Sequence, residues 1–133
     1  MKFKWQSFLE LSKELKDIGN SFCGELREAS WRTAVSRAYF SVFNIAKEFL
    51  RKMGIDVPER RAHGIVKSEF QNSSNLSEQF IGDHLEKLVE KRIKADYWRE
   101  FTIPVDWQRE VEEAIELARK TLEKLREIGA FND

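Results

Sequence analysis

At 133 residues the chain is long enough for one domain around a single core, and no second domain is needed. Charged residues make up 35% and apolar residues 41%, with six Gly and two Pro, a balance that favours a mostly helical protein over disorder or a β-sandwich. The 23 basic and 23 acidic residues cancel, so no global field advertises nucleic acid or an anionic membrane, and any such partner must be met by a local cluster.

Cys23 stands alone, which excludes an intramolecular disulfide and predicts a buried thiol in a reducing compartment. The first residues, MKFKWQSFLELSKELK, are interrupted by charge every few positions. They lack the apolar core of a signal peptide, and no apolar run approaches the roughly 20 residues of a membrane span. The expected location is the cytoplasm, without a membrane partner.

The first predicted helix covers residues 4 to 18, with apolar positions at Trp5, Phe8, Leu11, Leu15 and Ile18 and a stop at Gly19 and Asn20. Ser21 to Leu26 reads as a short connection. From Glu28 to Met53 no Gly or Pro intervenes, and Trp31, Val35, Ala38, Val42, Ile45 and Phe49 form one helical stripe. Beside it runs a second apolar line, Tyr39, Phe43, Ala46 and Leu50, which begins with Arg32 and Ser36. Only Thr33, Arg37, Ser41, Asn44, Glu48 and Arg51 make a polar strip. A helix apolar around most of its circumference must be surrounded, so this is the predicted central helix. Gly54 ends it.

Residues 55 to 62 (IDVPERRA) read as a loop, followed by a short helix from His63 to Gln71 with Ile65, Val66 and Phe70 on one side. After the polar run Gln71 to Asn75, Asn75 or Ser77 offers an N-cap for a fourth helix with the stripe Ile81, Leu85, Leu88, Arg92 and Ala95. Tyr97 to Val105 contains Pro104 and reads as a loop pinned by burial of Trp98 or Phe101. Asp106 caps a last helix that runs to Ile128 on the stripe Trp107, Val111, Ala114, Ala118, Leu122 and Leu125. Its early glutamates and late cations agree with the helix dipole, and only the last few residues are expected to fray. The predicted fold is all-α, a single domain over 1–133: an up-and-down antiparallel helical bundle of four long helices plus one short inserted helix.

An arginine on an apolar stripe is the main oddity. Arg92 and Asp96 lie one turn apart, and a partly buried charge needs a partner. The pair either fixes helix packing only, or Arg92 lines a cleft and grips a phosphate with its forked donors. Ser36 and Tyr39 or Phe40 are neighbours on the central helix, while Arg37 turns about 100 degrees away from Ser36. Phe40 reads as a core filler; Ser36, Arg37 and Tyr39 are candidates for a site. His63 follows Arg60 and Arg61 at a helix start, either an anion site or a solvated loop. His84 has no further ligand at useful spacing, so no metal is predicted, and no cofactor-binding loop or nucleophile triad can be assembled.

Taken together, SRAYFSVFNIAKEFL, HGIVKSEF and KRIKADYW at these separations resemble the HEPN domain family (higher eukaryotes and prokaryotes nucleotide-binding), in particular its small stand-alone prokaryotic group of UPF0332 type. The resemblance covers roughly residues 5 to 128. It implies a helical bundle that often dimerises, and commonly a minimal nucleotidyltransferase as partner in a toxin–antitoxin-like or substrate-binding pair. Many members are ribonucleases whose signature is an arginine followed, after four to six residues, by a histidine. Arg92 matches the arginine, but Tyr97 stands at the histidine's place and no histidine follows it. A phenol, with a pKa near 10, is a poor general base at neutral pH.

The resemblance thus implies a homodimeric binding module in which Ser36, Arg37, Tyr39, Arg92, Asp96 and Tyr97 line a pocket or cleft for a nucleotide, RNA or the partner protein. The alternatives are a metal-independent ribonuclease using Arg92 with Tyr97 or His63, and a purely structural interaction protein.

Overall fold

The structure is a computed structural model and describes residues 2–132. It contains α1 (Ser7–Gly19), α2 (Gly24–Lys52), a 3-10 turn (Glu59–Arg61), α3 (Ala62–Gln71), α4 (Leu76–Tyr97) and α5 (Trp107–Glu127), with no strand among the described residues. The helical bundle and its central helix agree with the sequence: α2 touches each of the other four helices. Cross-helix bonds give the directions. Ser12 Oγ donates to Ala34 O, Ser30 Oγ to Leu15 O and Trp31 Nε1 to Lys16 O, so α1 runs antiparallel to α2. Lys91 and Lys94 meet Glu113 and Glu110, which makes α5 antiparallel to α4.

Helix ends follow local chemistry. The Asn75 side chain accepts from Glu78 N (3.0 Å) and that of Asp106 from Arg109 N (3.1 Å), each covering a donor that the first turn leaves unpaired. Gly54 and Gly129 take φ of 86° and 80°, the left-handed conformation that closes a helix. Gly19 acts differently. A Cβ there would run into the Trp31 indole, so its bare backbone lets α2 approach α1.

Several expectations need correction. α2 starts at Gly24 rather than Glu28, because Glu25, Leu26 and Arg27 are good helix formers with nothing to break them. The buried face of α1 is Leu9, Ser12 and Gly19; Leu11 and Ile18, assigned to the core stripe, are 43% and 45% exposed. The small Ser12, satisfied by Ala34 O at 2.6 Å, permits the close approach that turns the helix. Cys23 is exposed, since it sits in the α1–α2 connection instead of the core. In the polar strip, Ser41 and Asn44 are buried and donate to the carbonyls of Ala38 and Phe40. Beyond α5, Ala130 N bonds to Leu125 O, and Phe131 packs under Arg126.

The α4–α5 loop is held by its aromatic residues, as expected: Phe101 packs against Trp107 (6.0 Å between centroids), while Trp98 stays about half exposed. Arg32, from α2, closes the end of α4. It donates to the carbonyls of Ala95 (2.7 Å), Lys94 (3.3 Å) and Trp98, and its guanidinium lies 4.8 Å from the Trp107 ring centre. The last carbonyls of a helix need such donors, and a cation also suits the negative end of the helix dipole. No helix is long and apolar enough to cross a membrane among the described residues.

Candidate functional site

The site is centred on Phe40, a half-buried ring on the α4-facing side of α2. Two guanidiniums rest on it: that of Arg37 4.9 Å from its centre and that of Arg92, from α4, 5.2 Å. The negative face of an aromatic ring attracts each cation, and the flat guanidinium stacks well there. Phe8 of α1 supports Arg37 (5.0 Å) and Tyr97 supports Arg92 (5.5 Å). Two long cations are thereby held in place by three rings, one of them the Tyr97 phenol.

One carboxylate serves both. Asp96 Oδ2 lies 3.0 Å from Arg92 Nε and accepts from Ser36 Oγ at 3.2 Å; Ser36 Oγ in turn accepts from Arg37 Nη2 at 3.4 Å. The cluster therefore keeps one net positive charge. Arg92 is also poorly used as a donor. Its Nε contact with Asp96 is misaligned for a hydrogen bond, and among the described residues its one bonded N–H reaches Tyr97 Oη only at 3.5 Å. A guanidinium carries five N–H donors. The Arg92–Asp96 pair expected from their one-turn spacing is present, at 3.0 Å.

His63, at the start of α3, lies 6.1 Å from Phe40 between centroids and within reach of the Arg92 charge. The imidazole stacks on Phe43 (4.3 Å), and Nδ1 is 2.5 Å from Tyr39 Oη. Tyr39 is only 2% exposed, and burial pushes its hydroxyl pKa well up, against the pull of the Arg92 charge. The phenol stays protonated and needs an acceptor; Nδ1 is its one partner among the described residues. Nδ1 must then be bare, and the ring hydrogen sits on Nε2. Burial, with the charges of Arg92 and Lys47, lowers the His63 pKa, so the ring is neutral at pH 7. His63 thus offers an N–H donor.

All seven residues singled out from the sequence gather around Phe40: Ser36, Arg37, Arg92, Asp96 and Tyr97, with Tyr39 and His63 joined to each other. Arg60 and Arg61 remain in the exposed 3-10 turn. Sequence reasoning missed Phe40 itself, assigned to the core, and Phe8 and Phe43. Its signal was present: Phe40 is three and four residues from Arg37 and Ser36, on their face of the helix.

The α4–α5 groove, about 790 Å3, is a poorer candidate. Lys91 and Lys94 there are already paired with Glu110 and Glu113. Among the described residues no three His, Cys, Asp or Glu side chains come together as metal ligands.

Neither a curated protein nor a solved structure matches the sequence. A family model does: that of the HEPN domain matches residues 12–128, from the second turn of α1 to the end of α5, and so includes every residue of the Phe40 cluster except Phe8. The chain belongs to the HEPN domain family.

Proposed function

We propose that this HEPN domain is a homodimeric binding module for the phosphate of a nucleotide or RNA, and that it works with a minimal nucleotidyltransferase in a toxin–antitoxin-like or nucleotide-binding pair. The observation that carries the phosphate reading is the pair of guanidiniums on Phe40 with a single carboxylate between them. Arginine donors match phosphate oxygens, and preorganised side chains lose little entropy on binding. Exposed Ile93 and Tyr97 beside Arg92 supply apolar area for a second copy or a partner.

The reading as a binder is favoured over a ribonuclease by the hydrogen on His63 Nε2. A general base must present a bare nitrogen, and the only one on this ring faces Tyr39 Oη. The carboxylate beside Arg92 and Tyr97, that of Asp96, is engaged by Arg92 and Ser36.

The test is titration of purified protein with ribose 5-phosphate and with a 5′-labelled oligoribonucleotide, alongside light scattering for the dimer and co-expression with the product of the neighbouring reading frame. Arg92→Ala should weaken both ligands by at least about tenfold, the scale of a lost charged hydrogen bond. Unchanged affinity in Arg92→Ala removes the phosphate site. RNA cleavage in EDTA that vanishes in Arg92→Ala would establish the ribonuclease instead. A monomer that recovers no nucleotidyltransferase removes the pairing.

A further inference from the structure

Next to the Arg92 cluster, across Asp96 and Tyr97, runs an open groove of about 610 Å3 between the start of α2 and the end of α4. It lacks the net positive charge of the cluster. Glu25 and Glu28 line it against Arg32 and Arg99 and balance them, while Asp96, at its edge, is already paired with Arg92. Arg32 is moreover committed to the α4 carbonyls and to Glu28 at 3.1 Å. A phosphate is therefore drawn to the net positive Arg37 and Arg92 side rather than into the groove.

Two features of the groove suit a nucleobase. Tyr97 and Trp98, 68% and 48% exposed, line it with aromatic faces, the surface on which unpaired bases stack. Glu25 has no hydrogen-bond or ion-pair partner among the described residues, so its carboxylate is free to accept from a ligand. A carboxylate is acceptor-only and takes two parallel N–H donors best. Among the bases guanine offers that pair, N1–H and the 2-amino group; uracil flanks its single N–H with two carbonyl oxygens that a carboxylate repels.

We infer that this groove is the base subsite of the Arg92 phosphate site and prefers guanine, with the base stacked on Tyr97 and its N1–H and 2-amino group donating to Glu25. The inference rests on the phosphate reading above, and Tyr97 joins the two halves: its hydroxyl meets Arg92 while its ring lines the groove.

Calorimetric titration of the full chain with GMP, AMP, CMP, UMP and ribose 5-phosphate tests it. GMP should bind about tenfold tighter than UMP, the discrimination expected of one bidentate base contact. Glu25→Gln, at an exposed position that leaves folding intact, should shrink that ratio to about twofold or less without moving the ribose 5-phosphate affinity. Four nucleotides of equal affinity, or a guanine preference that survives Glu25→Gln, overturns the base subsite. The phosphate reading fails separately, on ribose 5-phosphate binding that ignores Arg92→Ala. Absence of binding by all five ligands overturns both.

Discussion

Tyr39 Oη and His63 Nδ1 stand 2.5 Å apart, joining the central helix to the first turn of α3 across 24 residues of sequence. Because the phenol is buried and His63 is its partner, this one bond determines where the imidazole carries its hydrogen. It makes His63 a donor beside Arg92.

Tyr39→Phe should release that constraint. The variant loses about 1 kcal/mol of stability, the net worth of a typical hydrogen bond. His63 should then populate both neutral tautomers and titrate at a higher pH than in the wild type, since the bond favours the neutral ring. Nitrogen-15 NMR of the imidazole across a pH series reads both effects. An Nδ1–H tautomer in the wild type would show the assignment to be wrong.

Stability should fall on mild acidification. Burial lowers the pKa of both His63 and His84 below the ordinary value of about 6.5, so the unfolded chain takes up protons first as the pH falls. Their contribution is complete above about pH 6.5 and is lost as the pH drops through the folded values. Glutamates act in a lower window. Burial opposes the ionised form of Glu110, yet the hydrogen bonds of Lys94 and Lys91 hold its pKa below the usual carboxylate range, so this contribution disappears in stronger acid. Urea midpoints at pH 7.5 and 5.5 should differ in the wild type and converge in a His63→Gln, His84→Gln double variant.

Asp96→Asn separates a binding site from a packing pair. Removing the one carboxylate between Arg37 and Arg92 doubles the net positive charge of the cluster. Ribose 5-phosphate should bind about three- to tenfold more tightly, with the gain shrinking as salt screens it. Weaker binding, measured by calorimetry at two ionic strengths, would mean that Asp96 serves to orient Arg92.

Arg32 is expected to be the most sensitive polar residue. Arg32→Met strips three carbonyls at the end of α4 of their donor and leaves Glu28 without its cation, a loss of about 2–4 kcal/mol. Hydrogen exchange should speed up over residues 97–105 before it does in α2. Arg32→Lys should recover less than half of the loss, because one ammonium cannot reproduce the planar fork.

What the sequence by itself determined was the set of helices, their caps at Asn75 and Asp106, the turns at Gly54 and Gly129, and which polar residues stand out from the apolar stripes. Those features are local: a cap or a left-handed glycine acts within a few residues, and apolar spacing marks which positions share a face. Tertiary structure decided how far each helix turns about its axis. The small Ser12 and Gly19 let α1 roll toward α2, which no periodicity could weigh against Leu11 and Ile18. It also decided the partners of polar groups. Ser36 finds Asp96 at a separation of 60 residues and Arg32 finds the α4 carbonyls at more than that, so their roles follow from packing. Phe40 shows the difference most clearly: its sequence position says that it is apolar and on the face of Ser36 and Arg37, and only the approach of α4 makes its ring the seat of two arginines.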